Sequence, residues 1–226
     1  MLSQTTNFSD TPNVSRNARL IPRAVSRDQA DSFEMMGTTI SFARNSEIYV
    51  ENEPAEYLYK LISGTVRTSK ILSDGRRQIG AFYLTGDIFG FEVGSEHTLS
   101  AEAITDTKVV VVERTAIEAL AARDSDIARQ LWSMTGRELQ RTQEHILLLI
   151  KTAEERVAAF LLEMAIRTSN EIELPMSRQD IADYLGLTME TVSRTLTTLE
   201  NNAAIALPSS RRIVLRNRIA LQRLNA

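Results

Sequence analysis

Apolar and polar positions follow three successive rhythms along the chain. Up to about residue 30, apolar residues are sparse and aperiodic in text rich in Ser, Thr, Asn and Arg. Such a segment gathers no apolar face and reads as a mobile tail, closing on a short helix near residues 28–36. Runs at 38–42, 47–50, 57–62, 66–72, 77–84 and 108–113 are then short and rich in β-branched and aromatic residues, the pattern of strands. Ser73-Asp74-Gly75 is a hairpin signal, and Gly64 and Gly86-Asp87 mark further turns. Many short strands with regular turns predict a small β-roll or jelly-roll barrel. Thr115-Ala116-Ile117-Glu118 has capping-box spacing and opens a short helix.

From Asp124-Ser125 the rhythm becomes helical. Ile127, Leu131, Met134 or Thr135, Leu139, Thr142, Ile146, Leu149 and Ala153 recur at three, four and occasionally five. On a helix of roughly 25 residues that stripe can face a second copy of itself in a coiled coil. The competing reading packs it only on its own β-domain. The run Ile146 to Ile150 is apolar all round and needs partners on more than one side. A two-fold homodimer is therefore expected, with Leu131, Met134, Thr135, Leu139, Thr142, Ile146 and Leu149 at its interface. Residues 153–167 form another amphipathic helix, with Val157, Phe160, Leu161 and Met164 inward, and 168–173 read as a connector.

The most informative stretch is 177–194. Ser177 can N-cap one helix with Asp180 three residues on, Gly186 supplies a sharp turn, and Thr188 can cap a second helix. On the second helix Val192, Leu196 and Leu199 make a buried stripe, while Glu190, Ser193, Arg194 and Thr197 fall on the opposite face. An outer face with a carboxylate, a hydroxyl and a guanidinium is equipped to read base edges. Arginine forks onto guanine, and a carboxylate accepts from cytosine. An ordinary helical hairpin with a solvated face would share the spacing, but not the agreement of caps, turn glycine and outer face. Beyond it, runs at 204–207 and 213–215 flank Pro208-Ser209-Ser210-Arg211-Arg212 as a β-hairpin wing.

Charge sharpens that picture. The chain has 226 residues and a net charge of −3. From Met176 onward it has seven arginines, no lysine and four acids, a balance of +3 that leaves −6 for the rest. A small basic segment on an acidic body suits a localised phosphate-contacting surface. With no cysteine, thiolate-held zinc, cysteine-ligated iron–sulfur clusters and thiol chemistry are excluded. With only two histidines, His97 and His145, a multi-histidine metal site is not expected. No metal site or cofactor is expected. No nucleophile–base constellation or phosphate loop emerges, so an enzyme is not expected. With no membrane-length apolar run or signal pattern, the expectation is a cytoplasmic protein.

A β-roll, a long dimer helix and a winged helix-turn-helix, in that order, resemble the Crp/Fnr superfamily of bacterial transcription regulators. The resemblance covers about residues 35–216. It is carried by Ala153-Glu-Glu-Arg-Val-Ala-Ala-Phe160, Ile181-Ala-Asp-Tyr-Leu-Gly-Leu-Thr188 and Glu190-Thr-Val-Ser-Arg194. It implies an α+β fold: a cyclic-nucleotide-binding-type β-roll at 31–123, after a tail at 1–30. A dimerisation helix follows at 124–151 and a DNA-binding domain at 152–226. Cyclic-AMP receptors of the superfamily clamp the nucleotide with Gly-Glu-Leu and an Arg-Ser pair. The corresponding text here is Gly90-Phe91-Glu92 and Leu99-Ser100. An apolar residue thus stands where that resemblance puts the phosphate-neutralising arginine. An Fnr-like reading helix without cluster or nucleotide clamp is similar to the FixK group, which activates genes for low-oxygen respiration and nitrogen fixation.

The resemblance implies double-stranded DNA as partner, a palindrome with TTGA half-sites. Arg194 is then assigned to the guanine, Glu190 to the cytosine amino group with an i, i+4 hold on Arg194, Ser193 to the outer T·A positions, and Met189 to a thymine methyl. Arg178, Thr188, Thr197, Arg211 and Arg212 are assigned to phosphates. RNA polymerase is the further partner, at the hairpin holding Asp74, Gly75, Arg76 and Arg77; a plain solvated turn is the alternative there. A second function class also stands: an effector-dependent sensor binding haem or a metabolite in the β-roll. His97 would be its only histidine, in an apparent loop, with Tyr57, Tyr59, Phe82, Tyr83 and Phe91 lining a pocket or, as such spacings more often mean, filling a core.

Overall fold

Two antiparallel four-stranded sheets face each other across an aromatic core. The computed structural model describes residues 36–167 and 170–225. The N-terminal tail and the helix expected there, apart from Met36 in a turn, lie outside the described residues. The strands are β1 (Thr38–Phe42), β2 (Glu47–Tyr49), β3 (Tyr57–Ser63), β4 (Thr65–Ile71), β5 (Arg77–Leu84), β6 (Ile88–Phe89), β7 (Ser100–Ala103) and β8 (Thr107–Glu113). One sheet runs β1-β8-β3-β6 and the other β2-β7-β4-β5. Tyr49, Tyr59, Leu61, Val66, Tyr83, Phe89 and Val109 are buried between them. This is the expected roll.

Two strands of the roll carry too little pattern to announce themselves. β6 has two residues. β7 reads Ser-Ala-Glu-Ala and buries only its alanines, so its alternation is real but made of residues with weak strand preference. Between β3 and β4, Gly64 has φ +97°, and a Cβ there would sit 2.5 Å from Thr107 Oγ1. The tight turn therefore admits only glycine.

The helix α1 (Arg114–Ala121) starts two residues earlier than the capping-box spacing predicts. Its N-cap is Glu113, with no side-chain cap, and Thr115 lies inside the helix. Strand β8 runs straight into it, which overrides the local signal. The helix α2 (Ser125–Leu149) spans 25 residues, and the Asp124 side chain caps it by accepting from Asp126 N at 2.8 Å. Leu131 packs against the cluster of Leu58, Val110, Val112 and Ile117, and Met134 is buried within the chain. Leu131 thus packs on its own β-roll and Met134 is buried within its own chain, which for these two members of the expected interface is the competing packing reading. Its outer face exposes Trp132, Leu139, Ile146, Leu147 and Ile150. Positions 132, 139 and 146 with 135, 142 and 149 form a strict heptad seam, which Trp132 opens in place of Leu131. Thr135 and Thr142 donate back to the carbonyls of Leu131 and Glu138, each at 3.0 Å, so neither hydroxyl needs a partner across the seam.

The C-terminal part contains α3 (Ala153–Arg167), β9 (Glu171–Glu173), α4 (Arg178–Leu185), α5 (Met189–Asn201), β10 (Ile205–Ala206), β11 (Arg212–Leu215) and α6 (Arg218–Leu224). The expected connector contains a strand: β9 joins the wing in the order β10-β11-β9, with Ile172 opposite Ile213. Three residues hold only one alternation, too short to stand out. The final helix α6, absent from the sequence reading, is capped by Asn217 accepting from Ala220 N at 3.0 Å and buries Leu221. Val157, Phe160, Leu161 and Met164 point inward as their spacing predicts. They share one apolar cluster with Ile181, Leu185, Val192, Leu196 and Leu199, and also with Ile79 and Phe82 of β5. The roll therefore closes one side of the C-terminal core.

Candidate nucleic-acid interface

The helix pair α4–α5 is built as its sequence suggests. Ser177 Oγ accepts from Asp180 N at 3.1 Å, and Asp180 Oδ2 accepts from Ser177 N at 2.9 Å, a closed capping box. Gly186 ends α4 in the left-handed region (φ 62°, ψ 39°), the conformation that a glycine C-cap supplies. Thr188 Oγ1 then accepts from Thr191 N at 3.2 Å to start α5.

Val192, Thr195, Leu196 and Leu199 are buried, and Glu190, Ser193, Arg194 and Thr197 are exposed with Met189 beside them. The i, i+4 pair expected between Glu190 and Arg194 is absent from the ion pairs of the described residues, and neither side chain spends its hydrogen-bonding capacity on the protein. Both remain available to an outside partner. Thr197 Oγ1 donates to the Ser193 carbonyl at 3.1 Å, and Ser193 itself is exposed.

The expected phosphate contacts divide. Arg211 is exposed beside the turn of Pro208, Ser209 and Ser210. Arg212 begins β11 and is ion-paired to Glu171 of β9 through Nε and Nη2. A cation paired with its sheet neighbour has less to offer a phosphate, whereas Arg211 is exposed. Arg178 lies half-buried at the start of α4 and donates to the Ser210 carbonyl at 3.4 Å. It braces α4 against the wing. Burial holds its pKa below the ordinary arginine value.

The β4–β5 hairpin also splits the group of residues expected there. Asp74, Gly75 and Arg76 are exposed at the tip, with Arg76 Nε donating to Asp74 Oδ2 at 2.7 Å. Arg77 turns the other way. Its Nη2 lies 2.6 Å from Asp180 Oδ1 and 2.7 Å from Asp183 Oδ2 on α4. The residues that hold α4 from outside the helix-turn-helix, namely Arg67, Arg77, His145 and Arg156, carry no one-dimensional pattern, because their contacts with α4 span tens of residues in sequence.

An aromatic cluster occupies the space between the two sheets of the roll. Tyr49, Tyr59, Phe89 and Tyr83 pack ring on ring, with neighbouring centroids 5.1–6.3 Å apart. His97 lies in the loop before β7, as expected, but is buried there, stacked on Tyr49 at 3.6 Å. Burial pushes its pKa down, against Glu92, which pushes it up. Tyr83 Oη donates to Glu138 Oε1 of α2 at 2.7 Å, and Arg141 of α2 lies over the Tyr83 ring at 5.1 Å. Burial raises the Tyr83 hydroxyl well above the usual phenol range.

A cyclic nucleotide does not fit these residues. Glu92 Oε1 already accepts from Thr98 N at 3.0 Å, and Ser100 Oγ accepts from Glu51 N at 2.9 Å. Leu99, where a phosphate would need a cation, lies with its Cδ1 2.9 Å from where a Cβ on Gly80 would sit. Burying a phosphate without a neutralising cation is strongly unfavourable.

Comparison with known proteins agrees with this architecture. The family described as Crp-like helix-turn-helix domain matches residues 155–224, and that described as cyclic nucleotide-binding domain matches residues 39–124. The nitrogen fixation regulation protein FixK of Azorhizobium caulinodans is 50% identical over 220 residues, covering 94% of this chain and 89% of its own. Its namesake in Rhizobium meliloti is 37% identical over 212 residues, covering 92% and 97%. The solved structure of FixK2 from Bradyrhizobium japonicum superposes with a TM-score of 0.81 at 53% identity, over 84% of this chain and 98% of that one.

Proposed function

The chain belongs to the Crp/Fnr family of transcription regulators, among its FixK-type members with a helix-turn-helix DNA-binding domain, and from that premise we propose that it is a homodimeric activator reading a TTGA palindrome without a small-molecule effector. The observation that carries this reading is the outer face of α5, where Glu190, Ser193 and Arg194 stand exposed and uncommitted. Arg194 forks onto the guanine O6 and N7, Glu190 accepts from the opposite cytosine N4, Ser193 meets the outer T·A positions and Met189 the thymine methyl. Arg211 contacts phosphate at the wing, with Thr188 and Thr197 beside the backbone. Arg178 acts through the wing it braces.

Dimerisation uses the exposed heptad seam of α2. Trp132, Leu139 and Ile146 project from it with more than half of their surface exposed, and an apolar stripe of that kind calls for a partner. A two-fold axis along α2 places two copies of α5 in successive major grooves, about 34 Å apart. The exposed tip Asp74-Gly75-Arg76 is the surface offered to RNA polymerase. Effector independence is supported by the aromatic cluster between the sheets, by the engaged Glu92 and by Leu99 in place of a cation, and the cysteine-free sequence rules out a thiolate-held cluster. By relationship to the nitrogen fixation regulators, its targets are genes of low-oxygen respiration and nitrogen fixation, and its place is the cytoplasm.

In vitro transcription tests this reading. Purified, ligand-free protein added to RNA polymerase should raise transcript from a promoter carrying the TTGA palindrome. No response without an added effector, followed by a response with cyclic nucleotide, haem or a metabolite extract, would overturn effector independence.

A further inference from the structure

Helix α4 is held at both ends by parts of the molecule that do not belong to the helix-turn-helix. At its N-terminal end, Arg67 Nη1 of β4 lies 2.8 Å from Asp180 Oδ1, and Arg77 of β5 reaches both Asp180 and Asp183. The second oxygen of Asp180 is occupied by Ser177 of the capping box. The free arm of Arg67 is taken by Glu102 of β7 at 2.8 Å. The Asp180 and Arg67 side chains are 5% and 12% exposed, so salt and water screen this cluster poorly. At the C-terminal end, Arg156 Nη1 donates to the Leu185 carbonyl and Nε to the Lys151 carbonyl, both at 2.8 Å. His145 Nε2 meets the Tyr184 carbonyl at 2.8 Å. Between the ends, Phe82 of β5 lies 5.2 Å from the Tyr184 ring.

Among the described residues, the ion pairs and hydrogen bonds of these arginine side chains go to α4, to β7 and to Lys151, not to α5. The reading helix rests on its own apolar stripe of Val192, Leu196 and Leu199. What the charges determine is the orientation of α4, and with it α5, relative to the roll and the dimer seam. In a two-fold assembly that orientation sets the distance between the two reading helices. We propose that Arg67, Arg77, Asp180 and Asp183 form a clamp of positioning residues that makes the protein selective for half-site spacing, an inference that rests on the palindrome-reading dimer above. Without the clamp each reader still recognises a half-site but rotates on the roll, and the dimer accepts several spacings.

The test uses the full chain with Arg77→Gln and, independently, Asp183→Asn, which leaves the capping box untouched; unfolding midpoints confirm that each variant folds. Binding is titrated on palindromes with the optimal spacer and with one base pair added or removed. The wild type should prefer the optimal spacing tenfold or more, and each variant should narrow that preference at least threefold. Uniform weakening across all spacings, or unchanged discrimination, would overturn the proposal. A second readout needs no DNA. Because the chain lacks cysteine, spin labels at Lys108→Cys and Asn201→Cys report the roll-to-reader distance directly. The wild-type distribution should be narrow and the Arg77→Gln distribution broad; equally narrow distributions would overturn the clamp. A wild type that bound no palindrome would instead overturn the dimeric reading, and the label distances would then decide the clamp alone.

Discussion

The His145 and Tyr184 rings stack nearly parallel, 17° apart with centroids at 4.1 Å, and His145 Nε2 meets the Tyr184 carbonyl at 2.8 Å. One aromatic pair therefore joins the long helix α2 to the first helix of the reader. Burial holds the His145 pKa below its ordinary value, against backbone contacts from Tyr184 and Gly80 that push it up. His97 is lowered as well, again chiefly by burial.

Those shifts predict a pH dependence of stability. The unfolded chain takes up protons on both histidines below about pH 6.5 while the folded chain resists them. Their contribution is present above that pH and lost as pH falls through the folded values. The urea midpoint should drop between pH 7.5 and 5.5, and His145→Gln should shrink the drop. An unchanged drop in the variant would show that this ring does not titrate as argued. Asp180, also held low despite burial by Ser177, Arg67 and Arg77, loses its contribution only at more acid pH, below the ordinary carboxylate range.

Arg194→Ala should weaken binding by roughly 1–3 kcal/mol per half-site and relax discrimination at the guanine. Arg211→Ala should weaken all sequences alike and make the salt dependence shallower by about one phosphate contact. Arg212→Ala should change the salt slope less, because its charge is paired with Glu171. Titrations at several salt concentrations on specific and scrambled duplexes separate the three.

At the seam, Leu139→Asp with Ile146→Asp should convert the protein to a monomer. Each buried leucine-sized side chain contributes on the order of 1.5–3 kcal/mol, and two-fold symmetry counts each twice. Sedimentation equilibrium measures the result. A variant that stayed dimeric at micromolar concentration would place the interface elsewhere.

The hairpin should separate two activities. Arg76→Ala, at the exposed tip, should reduce transcript yield while leaving DNA affinity unchanged. Arg77→Ala should alter DNA binding, since its guanidinium holds α4. Equal loss of binding in both would remove the distinction.

What could be read from sequence was local and periodic. The strands at 38–42 and 77–84, the caps at Ser177 and Thr188 and the turn at Gly186 all stand where pattern puts them, because backbone preference and burial agree there. The misses have one character. β6, β7 and β9 are too short or too poor in strand formers to display a period, and Thr115 lost its cap to a strand running directly into α1. At the site, the outer face of α5 was legible. The commitment of Arg77 to Asp183 and of Arg212 to Glu171 was not, since each pairs residues far apart in sequence. Trp132 was within reach: it stands seven residues before Leu139, as Leu139 stands before Ile146.

Fluorescence anisotropy with purified, ligand-free protein addresses the central claim most directly, comparing a TTGA palindrome with a duplex differing only at the two guanines. Tight, saturable binding to the palindrome and a loss of tenfold or more on the altered duplex is the predicted result. Equal affinity for both duplexes, or binding that appears only after an effector is added, would contradict it.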